Sequence, residues 1–163
     1  MQTQQEIIIK MALDGWNSQI KRTNQLFDSI TDEQLANEVA SNRNTGVYLL
    51  GHLAAVHDGM LALLGLGDRI HPELEVTFIR TPDKSGLEFP SIPFLRQYWN
   101  DVNNSLSAHF SLMTADDWFG KHTAVSAEDF EKEPHRNKLN VLLSRTTHLA
   151  NHLGQLAFLA VKG

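Results

Sequence analysis

The stretch NKLNVLLSRTTHLANHLGQLAFLAV, Asn137–Val161, reads as an α-helix and decides the fold class. Leu139, Leu142, Leu149, Leu153, Leu156 and Ala160 recur at helical spacing, which lays one apolar stripe along the segment. Within it His148 and His152 stand one turn apart, so both rings can reach a single ion. Each borders the stripe, with Val141 and Leu159 on the same side, so both point at the interior of the fold or its edge.

Three more long segments share this period, and strand-like alternation appears nowhere. From about Gln4 to Ser29, Ile9, Ala12, Leu13, Trp16, Ile20, Thr23 and Phe27 form one face. Thr31 with Gln34 matches a capping box, so Thr31–Val39 is expected to be a short connecting helix. Asn42–Asn44 is a polar break, and Thr45 or Asn44 can cap a helix over Gly46–Leu64 that stops at Gly65-Leu66-Gly67. That helix is apolar nearly all round, as expected of a central helix or one shared with a partner subunit. Asp68–Pro90, with Pro72, Pro82, Gly86 and Pro90, reads as a long loop across one end. The period returns over Ser91–Met113 through Leu95, Tyr98, Trp99, Val102, Leu106, Phe110 and Met113. Thr114–Asp117 looks like a cap and a short turn; Gly120–Arg136 reads as irregular, with helix near Ala127–Lys132. The class is therefore all-α, a four-helix bundle with long connections, in one domain spanning residues 1–163.

Composition narrows the functions. Apolar residues are 42% and charged residues 20% of the chain, as in ordinary globular proteins, so disorder and fibrous classes drop out. Without cysteine there are no disulfides, thiolate ligands or cysteine nucleophile, and thiol chemistry would need an external thiol. A net charge of -5, with Lys21 and Arg22 the only adjacent basic pair, excludes general nucleic-acid binding. Ile7, Ile8 and Ile9 are too short a run for a signal peptide, and no run approaches the roughly 18 apolar residues of a membrane span, so a cytoplasmic location without a membrane partner is expected.

A third ligand for His148 and His152 must come from another helix. His52 shares a face of its helix with Leu49, Val56 and Leu63 and is the candidate. His57, five residues on, is rotated by roughly 140° and is expected at the helix edge, a dimer contact or a pocket mouth. His109 is the rival third or fourth ligand; His71, His122 and His135 fall in loops and are expected in solvent. Di-iron bundles need Glu three positions before a ligating His, where Arg145, Leu149, Leu49 and Leu106 stand instead. Leu149 after His148 excludes a zincin, and Gly65-Leu66-Gly67-Asp68 is no dinucleotide fingerprint. No carboxylate is placed by sequence as a general base. The aromatics Trp16, Tyr48, Phe94, Tyr98 and Trp99 suit core positions or a pocket lining.

The run Asn44-Thr45-Gly46-Val47-Tyr48-Leu49-Leu50-Gly51-His52-Leu53-Ala54, followed far downstream by His148-x-x-x-His152-Leu153-Gly154-Gln155, resembles the DinB/YfiT-like family of metalloenzymes. The resemblance covers most of the chain. It implies a four-helix bundle, a homodimer, and Zn or Ni on His52, His148 and His152 with an open position for water or a small-molecule substrate. Leu153 stands where the family usually has Arg, and Ser144 where many members have His. The family is unrelated to the damage-bypass DNA polymerase. Its characterised members imply thiol-dependent S-transfer or isomerisation using a low-molecular-weight thiol, with metal-assisted hydrolysis the close neighbour. The competing expectation is a metal-binding or dimerisation bundle without catalysis, in which the ion is structural, and beyond it a plain bundle without metal.

Overall fold

The helices start where polar side chains can satisfy their first backbone amides. The computed structural model describes residues 2–160 and contains seven α-helices: α1 (Gln4–Ser29), α2 (Asp32–Leu35), α3 (Gly46–Leu63), α4 (Ile92–Phe110), α5 (Ala115–Phe119), α6 (Ala127–Lys132) and α7 (Lys138–Leu156). Thr3, Thr31, Thr45, Thr114, Ser126 and Asn137 each accept a hydrogen bond from the backbone amide three residues on, opening every helix except α4. Each such cap stabilises its helix by about 1 kcal/mol. The fourth helix instead begins at Ser91 with Pro93 in its first turn. Gly65, at φ 67, ends α3: its amide bonds the Ala62 carbonyl, and the Leu66 amide reaches back to Leu61 at 2.8 Å.

The long helices α1, α3, α4 and α7 form the bundle; α3 packs on α4, α1 on α7, and α3 meets α7 across the middle. Two apolar cores result. One gathers Phe27, Leu49, Leu50, Leu53, Phe78, Leu95, Trp99, Leu149 and Leu156; the other gathers Ile9, Trp16, Met60, Leu61, Leu106, Phe110, Trp118 and Leu142. Burying each such leucine stabilises the fold by about 2 kcal/mol, so the two cores contribute strongly to holding the bundle together. By length and a mean hydropathy of 1.2, α3 alone among the described helices would pass for a membrane span; 67% of it is buried inside the protein instead.

Several boundaries differ from the sequence reading. The connecting helix stops at Leu35 rather than Val39, because Val39 and Gly46 turn their amides to Asn44 and Asn37 and Glu38 bridges Thr45. Helix α4 closes at Phe110, short of Met113. In the last segment α7 tightens at Ala157–Ala160 into a 3₁₀ turn; Val161, its expected end, lies outside the described residues. Asp68–Pro90 is not a plain loop, since Val76–Arg80 coils into a π-helical turn that buries Phe78. No strand occurs among the described residues.

That crossing segment is strapped along α3. The fully buried Asp58 carboxylate accepts the Ile70 and His71 amides at 2.7 and 3.0 Å. Farther on, the Tyr48 hydroxyl donates to the Thr81 carbonyl at 2.7 Å, and Asp83 accepts from the Thr45 amide and hydroxyl. Gly51 lets the segment close, because a Cβ there would sit 2.3 Å from the Phe78 ring. Phe78 thereby reaches the helix that carries His52.

Candidate metal centre

His52 from α3 and His148 and His152 from α7 converge, with one nitrogen from each within 4.8 Å of the others. Their Nε2 atoms face one another, His148 lying 3.2 Å from His52 and 3.1 Å from His152. All three residues are half-buried. Tyr48 lies parallel to His52, ring centroids 6.2 Å apart.

Hydrogen bonds on the far nitrogens decide what those Nε2 atoms present. His52 Nδ1 stands 2.7 Å from the Phe78 carbonyl, which can only accept, so Nδ1 carries the proton and Nε2 of the neutral ring is a bare lone pair. His152 Nδ1 meets Gln155 Oε1 at 2.8 Å with the same consequence. A single proton on His148 Nε2 can point at one of these lone pairs and leaves the other facing a nitrogen with nothing between. A cation at the centre satisfies all three. The two His148 spacings are near the roughly 3.4 Å expected for two imidazole nitrogens on one tetrahedral ion, and imidazole ligands whose other nitrogen is held, as in His52 and His152, suit a divalent transition metal. The cluster thus has the donors and spacing to hold a divalent ion.

Electrostatics favour the neutral rings of His52 and His148. Burial pushes His148 down to about 4, with the positive charges of His152, His52 and Arg145 adding to the effect. Burial also lowers His52, opposed by its bond to the Phe78 carbonyl and reinforced by His152 and Arg145. Among the described residues no fourth histidine or carboxylate joins the three.

The other histidines separate from this group. His109, the rival ligand, is half-buried at the end of α4 and outside the cluster. His57 is not at an edge: it is fully buried between Trp16 and Trp99, ring centroids 4.8 and 4.9 Å away, because α3 is central enough that turning round it leads to another core. Its Nδ1 donates to Asn103 Oδ1 at 2.8 Å, while Asn103 donates onward to the Trp99 carbonyl. His57 Nε2 is then an acceptor without a donor, as His148 Nδ1 is a buried nitrogen without a partner. Nor is His71 in solvent, since its ring covers Tyr98 at 3.9 Å with its side chain 14% exposed; His122 is half-buried, and only His135 is exposed as expected. Trp16, Tyr48 and Trp99 are core residues, whereas Phe94 lies on the surface. A cleft of about 540 Å³ between Asn42–Asn44 and Phe158 touches Gln155 but none of the three histidines. The outer partner Phe78 carried no sequence signal, because it acts through its backbone carbonyl.

A family model of the DinB superfamily matches residues 16–156, a span that contains all three histidines. The chain belongs to the DinB superfamily. A comparison with curated proteins finds none that matches. In this DinB-superfamily chain the match begins at Trp16, against the buried His57, and ends at Leu156, just past Gln155.

Proposed function

We propose that the protein is a metal-dependent enzyme that holds one Zn or Ni ion on His52, His148 and His152 and acts on a small molecule, with thiol-dependent S-transfer as the leading chemistry and hydrolysis next. The observation that carries this reading is the meeting of three Nε2 atoms, two of them fixed as lone pairs by the Phe78 carbonyl and Gln155. When bound, the ion supplies Lewis acidity that brings a thiol or water on it to an anion near neutral pH. The chain's residues do the rest. Neutral imidazoles leave the site's positive charge intact, and Phe78 and Gln155 keep the His52 and His152 rings turned inward. That no fourth ligand among the described residues joins the cluster favours this over an ion that only ties α3 to α7.

The test loads protein purified without an affinity tag with Zn or Ni and presents an electrophilic probe, with and without a panel of low-molecular-weight thiols. Turnover that requires both metal and thiol is the expected result. Turnover with metal alone would assign hydrolysis; none under any condition would favour the structural ion. A homodimer is also proposed, because Ile8, Met11 and Leu143 expose apolar surface on adjoining faces of α1 and α7. Sedimentation should return twice the chain mass, and Met11→Glu should halve it; a monomer throughout would refute the dimer.

A further inference from the structure

Four arginines among the described residues are half-buried, and three have protein partners. Arg69 donates to the Ala55 carbonyl and lies 3.5 Å from Glu75; Arg136 meets Glu133 at 3.2 Å. Arg96 is the best served, donating to the Phe27 and Ile30 carbonyls at 2.6 and 2.8 Å and to Asp32 at 3.1 Å. Arg145 has none. Its Nε is buried without a hydrogen-bond partner, and no described carboxylate lies within ion-pair distance of its guanidinium. Burial alone acts on it, lowering its pKa, with no acid nearby to offset the cost.

Its place makes the missing partner informative. Arg145 precedes His148 by three residues and His152 by seven, so α7 presents all three within a sector of about 60°. Its charge is felt at His52, His148 and His57. A positive group desolvated near the three histidines, with no counter-charge among the described residues, is suited to an anion brought by the ligand. A guanidinium fork matches a carboxylate in two parallel hydrogen bonds.

We propose that Arg145 is the anion-binding element of the site, holding a carboxylate of the substrate while the substrate's other end reaches the three-histidine centre. This rests on the metal reading above, and it narrows the substrate to acidic small molecules. It also gives a role to the position where a di-iron bundle would carry Glu: a cation there recruits negative charge instead of supplying it.

Cobalt-loaded protein, titrated in the visible with mercaptoacetate, 3-mercaptopropionate and neutral 2-mercaptoethanol, tests it through binding alone. One acidic thiol should bind at least about tenfold more tightly than the neutral one, as expected for a charge-assisted fork. Arg145→Gln should erase that ratio, and Arg145→Lys should keep part of it. A ratio near one in the wild type, or one unmoved by Arg145→Gln, would overturn the proposal. Metal-free protein gives a separate reading: malonate should raise the Tm of wild type over malonamide at equal ionic strength, and not that of Arg145→Gln. If cobalt fails to bind while the malonate effect stands, the metal reading falls and the anion site survives. Absence of the malonate effect as well would end both.

Discussion

His52 and His57 leave the same helix five residues apart and meet opposite fates. One sits half-buried with its outer nitrogen on a backbone carbonyl and its inner lone pair aimed at two more imidazoles. The other is sealed between two tryptophans, bonded to Asn103, and faces no cluster. Residue type is the same, and both rings are held neutral. In both rings Nδ1 is bonded and Nε2 is left free, so what separates a candidate ligand from a core histidine is what that free nitrogen faces: other imidazoles for His52, no partner for His57.

The largest effect expected from breaking this contrast is in the pH dependence of stability. Burial pushes His57 down to about 3, against the bond to Asn103 that raises it. An unfolded histidine titrates near 6.5, so between these values the unfolded chain holds one more proton. The stability is fully present above about pH 6.5 and falls as pH descends, by about 1.4 kcal/mol per pH unit, until near pH 3. In metal-free protein, urea unfolding at pH 7, 6, 5 and 4 should show a slope one proton shallower in His57→Gln than in wild type. Equal slopes would mean His57 is not the sealed, neutral group described.

A second expectation concerns what holds His52. Gly51→Ala should destabilise the protein by about 1 to 3 kcal/mol through overpacking against Phe78, and should weaken metal binding because the Phe78 carbonyl moves from His52. Chemical denaturation and a metal titration of the same variant would read both; loss of stability without loss of affinity would detach the crossing segment from the site. Smaller still is Gln155→Leu, expected to lower metal affinity by about tenfold while leaving the fold intact, since it removes only the outer partner of His152. Unchanged affinity would show that packing alone orients that ring.

Much of this was legible before the fold was known, and the reasons differ by feature. The caps at Thr31, Thr45 and Thr114 and the stripes of α1, α4 and α7 follow from local rules that neighbouring residues obey. His148 and His152 were legible because a helix puts residues four apart on one face, and His52 because its helix face and its family motif agree. The place of His57 is not legible, because a turn of roughly 140° from His52 leads outward on most helices, whereas α3 is buried over most of its length. The π-helical turn stayed hidden because Pro72, Pro82 and Pro90 obscure any period, and Phe78 because every residue has a carbonyl. In the sequence Arg145 is only the residue standing where a di-iron bundle has Glu; its lack of a partner is a property of the packed chain.

Metal content of protein expressed without an affinity tag, compared between wild type and His148→Ala, tests the central claim most directly. His148 lies in both short nitrogen contacts, so its loss dismantles the centre while the two apolar cores keep the bundle folded by circular dichroism. The account predicts one zinc or nickel ion per chain in wild type and none in the variant. Wild-type protein that takes up no stoichiometric ion, or a folded variant that keeps it, would contradict the account.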